Sequence, residues 1–167
     1  MSTEENKRSL VRWPEEVFNQ RKLDAVDEIA AADVVWHGPH PAPDAVGTEA
    51  IKQIVRDFLA AFPDLHITIN ELIAEGDKTV HRATTTGTHQ GEVLGVAPTG
   101  KHVTLTSVSI CRWDGGKLVE GWDEADLRGL KQRPKAESYT SVGRKRNAMP
   151  RRRALFGGRF AHLIDED

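Results

Sequence analysis

Residues 101–126 read KHVTLTSVSICRWDGGKLVEGWDEAD, two runs rich in β-branched and aromatic residues parted by Asp-Gly-Gly-Lys. Such side chains suit a pleated backbone, and glycine supplies the positive φ of a tight turn, so the pattern predicts an antiparallel hairpin. Upstream, residues 65–89, LHITINELIAEGDKTVHRATTTGTH, repeat the arrangement around Glu-Gly-Asp-Lys and predict a second hairpin. Strand alternation puts Val103, Leu105, Ser107, Ser109 and Cys111 on one face of the third long strand, with Thr104, Thr106, Val108, Ile110 and Arg112 on the other. Neither face is purely polar, so both are expected to be covered.

Working outward, residues 48–65, TEAIKQIVRDFLAAFPDL, carry Ile51, Ile54, Val55, Phe58, Leu59 and Phe62 at helical spacing. Thr48 is placed to cap the first turn of that helix, and Pro63 with Asp64 stops it. Two more helices are expected before it, one from Leu10, Val11, Val17 and Phe18 and one from Leu23, Val26, Ile29 and Ala30. Pro14 lies inside the first, where a missing N–H predicts a kink or break near Trp13. Helices followed by a sheet make an α+β domain. A curved sheet then has a concave side that meets the helices around a pocket and a convex side that meets a second copy, making a homodimer.

The rest of the chain adds a boundary and some exclusions. Residues 1–133 hold 15 Lys and Arg against 21 Asp and Glu, while residues 134–167 hold 8 against 4. The expected organisation is a mildly acidic domain over residues 1–131 and a basic extension over 132–167, disordered in part or packed on a partner. Its RKRNAMPRRR run invites a nucleic-acid reading, which the acidic domain and the missing helix-turn-helix or interleaved aromatic pattern oppose. No run approaches the roughly 18–20 apolar residues that span a bilayer, and MSTEENKRSL lacks a secretory core, so a soluble cytoplasmic protein with no membrane partner is expected. The single cysteine, Cys111, sits in the strand pattern VSICRW and reads as a buried apolar residue.

Three stretches, EEVFNQRKLDAVDEIAAADVVWHGP, AFPDLHITINELIAEGDKTVHRATTTGTHQGEVLGVAPTGKHVTL and DGGKLVEGWDEAD, resemble the SnoaL-like polyketide cyclases of the nuclear transport factor 2-like superfamily. The resemblance runs from about residue 8 to 131. It implies a cone-shaped, curved antiparallel or mixed sheet wrapped around N-terminal helices, a cystatin-like α+β barrel. It also implies an intramolecular aldol condensation that needs no metal or other cofactor. That chemistry requires a group to take a proton from a carbon flanked by carbonyls and a donor to hold the resulting oxyanion.

Asp123 matches the family's catalytic acidic residue, and a carboxylate in an apolar pocket suits the base. On its strand Asp123 shares parity with Val119 and Gly121, so it is expected to enter the cavity past a glycine that leaves room for a ligand, with Leu118, Glu120 and Trp122 pointing the other way. A solvated strand-end carboxylate, or a cap beside Glu124 and Asp126, is the plainer reading of the same residues. The resemblance places His37 near the pocket, and His89 stands at the lip of a glycine-rich loop that can fold over the cavity mouth. His89 either reaches an entering ligand or only bonds loop backbone and holds the lid shut.

Trp36, Ser109, Trp122 and Asp126 complete the expected substrate-binding set; Asp126 reads equally as a cap, and tryptophans at such positions are usually core. Ser109 departs from the family, because several of its aromatic-ring cyclases carry a histidine there, and a hydroxyl cannot serve as a base near neutral pH. Arg112 is expected to pair with Glu120 across the hairpin. His81 is assigned a structural role, and His40 an exposed one. His37 and His40 in HGPH lack the spacing of a zinc motif, so no metal is expected.

Three functions follow, all on a hydrophobic small molecule. The first is a SnoaL-like cyclase with Asp123 as acid/base and His37 and His89 positioning substrate. The second is an epoxide hydrolase or dehydratase with Asp123 activating water, and the third a non-catalytic binding domain.

Overall fold

A computed structural model describes residues 2–39 and 42–130. His40 and the extension at 132–167 lie outside the described residues, as do the expectations that fall on them.

Helix α1 (Thr3–Arg12) starts with a capping box: Ser2 Oγ accepts from the Glu5 N–H at 3.3 Å and the Glu5 carboxylate accepts from the Ser2 N–H at 2.8 Å. The break expected near Trp13 takes the form of a change in winding. The chain continues as a π-helical segment, Trp13–Asn19, because Pro14 has no N–H for the tighter ladder. This wider turn sets Trp13 and Val17 into the core. Helix α2 (Ala25–Ile29) is shorter than the apolar spacing suggests, since Ala30 already begins strand β1 (Ala30–His37).

A short strand β2 (Ala45–Val46) precedes helix α3 (Thr48–Ala61). The cap of α3 is Gly47 and not Thr48. Its φ of 84° lies in the left-handed region, and a Cβ there would stand 3.2 Å from the Ala32 carbonyl oxygen. On the face of α3 that meets the sheet, Ile51 and Val55 are buried in the core.

Both expected hairpins form: β3 (His66–Glu75) with β4 (Lys78–Thr88), and β5 (His102–Asp114) with β6 (Lys117–Ala125). The six-stranded sheet runs in the order β2-β1-β6-β5-β4-β3, antiparallel except where β1 lies parallel to β6. It is therefore mixed, and its concave side carries the helices.

Two departures concern the faces of β5 and β6. Val103, Leu105, Ser109 and Cys111 are buried as the alternation requires, but Val108 and Ile110 on the opposite face are 45% and 39% exposed in the single chain. In β6 the register slips: Arg112 faces Glu120 while Trp113 faces Leu118, so Val119 is the extra residue of a bulge. The bulge reverses the parity read from the sequence before it, and Leu118 joins the core with Cys111 and Trp113.

Candidate active site

The helices do not fill the concave side of the sheet. A cavity of about 540 Å³ remains, walled by Trp13 and Phe18 of the π-helical segment, Ile54 and Phe58 of α3, and Ala83 and Leu105 of the sheet. Gly38, Pro39 and Asp44 close it on one side and Leu94 of the β4–β5 loop on another. Apolar walls of this size with a few polar groups are the usual form of a small-molecule site.

The polar groups come from adjacent strands. Cross-strand register puts His81 of β4 opposite Ser109 of β5, and Ser109 opposite Asp123 of β6. The Ser109 hydroxyl donates to the Asp123 carboxylate at 2.5 Å. Burial pushes the Asp123 carboxyl above the usual carboxylate range; the bond from Ser109 opposes this and the nearby Glu124 charge adds to it. A carboxylate so placed is a stronger base than one in water. His81 is pushed the other way, down to about 4, by burial alone, so its ring is neutral at physiological pH.

Trp36 also lines the cavity, stacked on Trp13 with ring centroids 5.9 Å apart. The space over Gly121 belongs to this indole and not to a ligand: a Cβ at Gly121 would lie 2.3 Å from the Trp36 ring. Trp113 is a core residue whose Nε1 donates to Thr79 Oγ1 at 2.9 Å. Cys111 is buried, and its thiol is pushed up to about 12, which leaves it a packing residue.

Of the other residues expected at the site, His37, His89, Trp122 and Asp126 are not among those that line this cavity. His37 lies between two carboxylates, with Nδ1 3.0 Å from Asp44 and Nε2 3.2 Å from Glu120, and stacks on Trp122. Both carboxylates raise its pKa, Glu120 more than Asp44. The parallel pairing of β1 with β6 is the cause, since it sets His37 beside Trp122. Asp126 caps the turn Leu127–Gly129, accepting from the Arg128 backbone N–H at 3.0 Å, and borders an outer groove with Arg82 and Glu124. Arg112 pairs with Glu120 at 2.8 Å, as expected.

His89 resolves the loop. Its ring is fully buried, stacked on Phe62 at 5.1 Å, with Nδ1 3.3 Å from Thr99 Oγ1. Gln90 and Gly91 donate backbone N–H groups to the Ala61 carbonyl at 2.8 and 3.1 Å, satisfying an acceptor at the end of α3. Gly91 is required by that approach, because a Cβ there would stand 2.8 Å from Ala61 Cα. His89 therefore pins the β4–β5 loop onto α3.

His81 is the pocket residue that sequence reasoning missed. The signal was present in β4: Arg82 and Val80 share one parity and Thr79, His81 and Ala83 the other, which is the buried one. Among the described residues, no three His, Cys, Asp or Glu side chains are grouped to hold a metal ion.

A family model described as SnoaL-like polyketide cyclase matches residues 8–133. Among solved structures, AclR from Streptomyces galilaeus, a candidate hydroxylase, is 32% identical with a TM-score of 0.66, over 77% of this chain and 83% of that one. IdmH from Streptomyces antibioticus, a candidate polyketide cyclase, is 29% identical with a TM-score of 0.64, over 74% and 93%. A protein of ketosteroid isomerase-like fold from Catenulispora acidiphila, 17% identical over 73% and 88% with a TM-score of 0.63, shares the fold. No curated protein matches the chain.

Proposed function

Because the chain belongs to the SnoaL-like polyketide cyclase family, we propose that its cavity holds a polyketide-like hydrophobic molecule and that Asp123 closes a ring in it by an intramolecular aldol condensation. The Asp123 carboxylate takes a proton from a carbon beside a carbonyl, leaving an enolate. The enolate carbon attacks a second carbonyl of the same molecule, forming the new C–C bond. The proton on Asp123 then passes to the alkoxide so formed. Nothing is oxidised or reduced, and the carboxylate is regenerated.

The observation that carries this reading is a carboxylate enclosed in an apolar cavity and raised in pKa by that enclosure. Ser109 supports it by holding the carboxylate in place, a role that needs a hydroxyl and no base. Opening an epoxide with water needs an Asp, Asn or Arg placed close to Asp123; Asp44 and Asp57 line the cavity, but among the described residues the side chain bonded to Asp123 is Ser109. A binding domain that has lost its chemistry is favoured by a carboxylate near its free value with no histidine within reach, whereas burial raises Asp123 and His81 lines the same cavity.

The test uses a small ketone, 2-tetralone, in D2O. Wild-type protein is expected to accelerate exchange of the α-protons, followed by proton NMR, and Asp123→Asn to lose about 100-fold or more of that acceleration. Equal exchange in the two proteins would remove Asp123 from the mechanism. We also propose that a second copy covers the convex face at Val108 and Ile110.

A further inference from the structure

His81 is 7% exposed, lines the cavity, and is used by nothing described so far. Its Nδ1 is sealed within the protein without a hydrogen-bond partner. Buried polar atoms are nearly always paired, so an orphan on a cavity wall asks for a reason. A neutral imidazole has one donor and one acceptor nitrogen. An unpaired acceptor is tolerated in an interior more readily than an unpaired N–H, which assigns the proton to Nε2. Nδ1 being sealed, Nε2 is also the nitrogen left for a ligand.

The neighbours of His81 define what that ligand presents. Ser109 stands between His81 and Asp123 in the cross-strand row, and its hydroxyl hydrogen is already engaged with Asp123. Two strand spacings, about 10 Å, separate the backbones at His81 and Asp123. That span accommodates a carboxylate, a carbon acid and the carbonyl oxygen beside it, laid across the sheet.

We propose that His81 is a ligand-binding residue of this cavity, donating a hydrogen bond from Nε2 to the carbonyl oxygen of the molecule whose adjacent carbon faces Asp123. When Asp123 removes the carbon-bound proton, the electron pair moves onto that oxygen, and the bond from His81 strengthens as the charge develops. The imidazole keeps its proton throughout, because a neutral ring is far too weak an acid to surrender it. β4 thus supplies a histidine to a site whose β5 position is Ser109. The assignment rests on reading the cavity as a site for a carbonyl compound.

The experiment compares two probes of one shape, 2-tetralone and the hydrocarbon tetralin, whose Kd values are measured by NMR titration of the full chain. Wild-type protein is expected to prefer the ketone, and His81→Phe to lower that preference by about three- to tenfold, the worth of one hydrogen bond. His81→Gln, which keeps a donor, should restore part of it. No ketone preference in the wild type, or an equal preference in His81→Phe, overturns the proposal. If His81→Phe does not fold, His81→Leu, which has no donor, and the 13C shift of the ketone carbonyl decide: a shift on binding to the wild type unaltered in His81→Leu, or no shift in the wild type, refutes the bond. Deuterium exchange tests Asp123 separately, so either residue's role can fail without the other.

Discussion

Glu120 and Asp123 lie three residues apart on β6, yet their carboxyls are driven in opposite directions. Glu120 accepts from the Arg112 guanidinium and from His37 and is held below the ordinary carboxylate range. Asp123 faces the cavity, where desolvation raises it. Alternation along one strand is enough to pair one with cations and to enclose the other in an apolar cavity. Gly121 between them is a packing requirement of Trp36. Gly121→Ala should cost about 1–3 kcal/mol, since the indole must leave its place on Trp13. A fall in Tm that is largely recovered on adding Trp36→Leu would confirm the clash; additive losses would place the cost elsewhere.

At the scale of elements, the sheet does two jobs with its two faces. The concave face carries the core, and the row His81, Ser109, Asp123 across three strands. The convex face exposes Val108 and Ile110, with Ile73 of β3 64% exposed. Sedimentation equilibrium should give a dimer, and Val108→Lys with Ile110→Lys should shift it to monomer while the far-UV circular dichroism stays unchanged. A monomeric wild-type protein at micromolar concentration would refute the second copy. Helix and loop geometry serves the cavity as well: the π-helical segment sets Trp13 and Phe18 into its wall, and His89 anchors the loop that carries Leu94.

For the molecule as a whole, the buried histidine makes stability fall in acid. His81 binds its proton at about 4 when folded and at the ordinary 6.5 when unfolded. The unfolded chain therefore takes up the proton first, and stability is lost as pH falls from about 6.5 toward about 4, by up to about 1.4 kcal/mol per pH unit from this group. Asp123, raised in the fold, works against that loss, and His37, also raised, contributes stability that disappears as pH rises through its folded value. Urea unfolding from pH 7 to 4.5 should show a shallower decline for His81→Phe than for wild type. Parallel curves would mean that the ring is solvated in the fold.

Composition and periodicity by themselves determined the two hairpins, the long amphipathic α3, the α+β order and the parity that turns Ser109 inward, because these depend on local backbone preference and on a side-chain period of two or 3.6. The family resemblance picked out Asp123. What tertiary structure alone decided are features that depend on register between distant segments. The bulge at Val119 turned Leu118 inward. The parallel contact of β1 with β6 gave His37 to Glu120 and Trp122. Packing of the loop on α3 buried His89, and the pairing of β4 with β5 brought His81 beside Ser109. A residue's parity can be read along one strand, but its neighbours are set by strands far off in the chain, and those neighbours are what set the surroundings of His81 and Asp123.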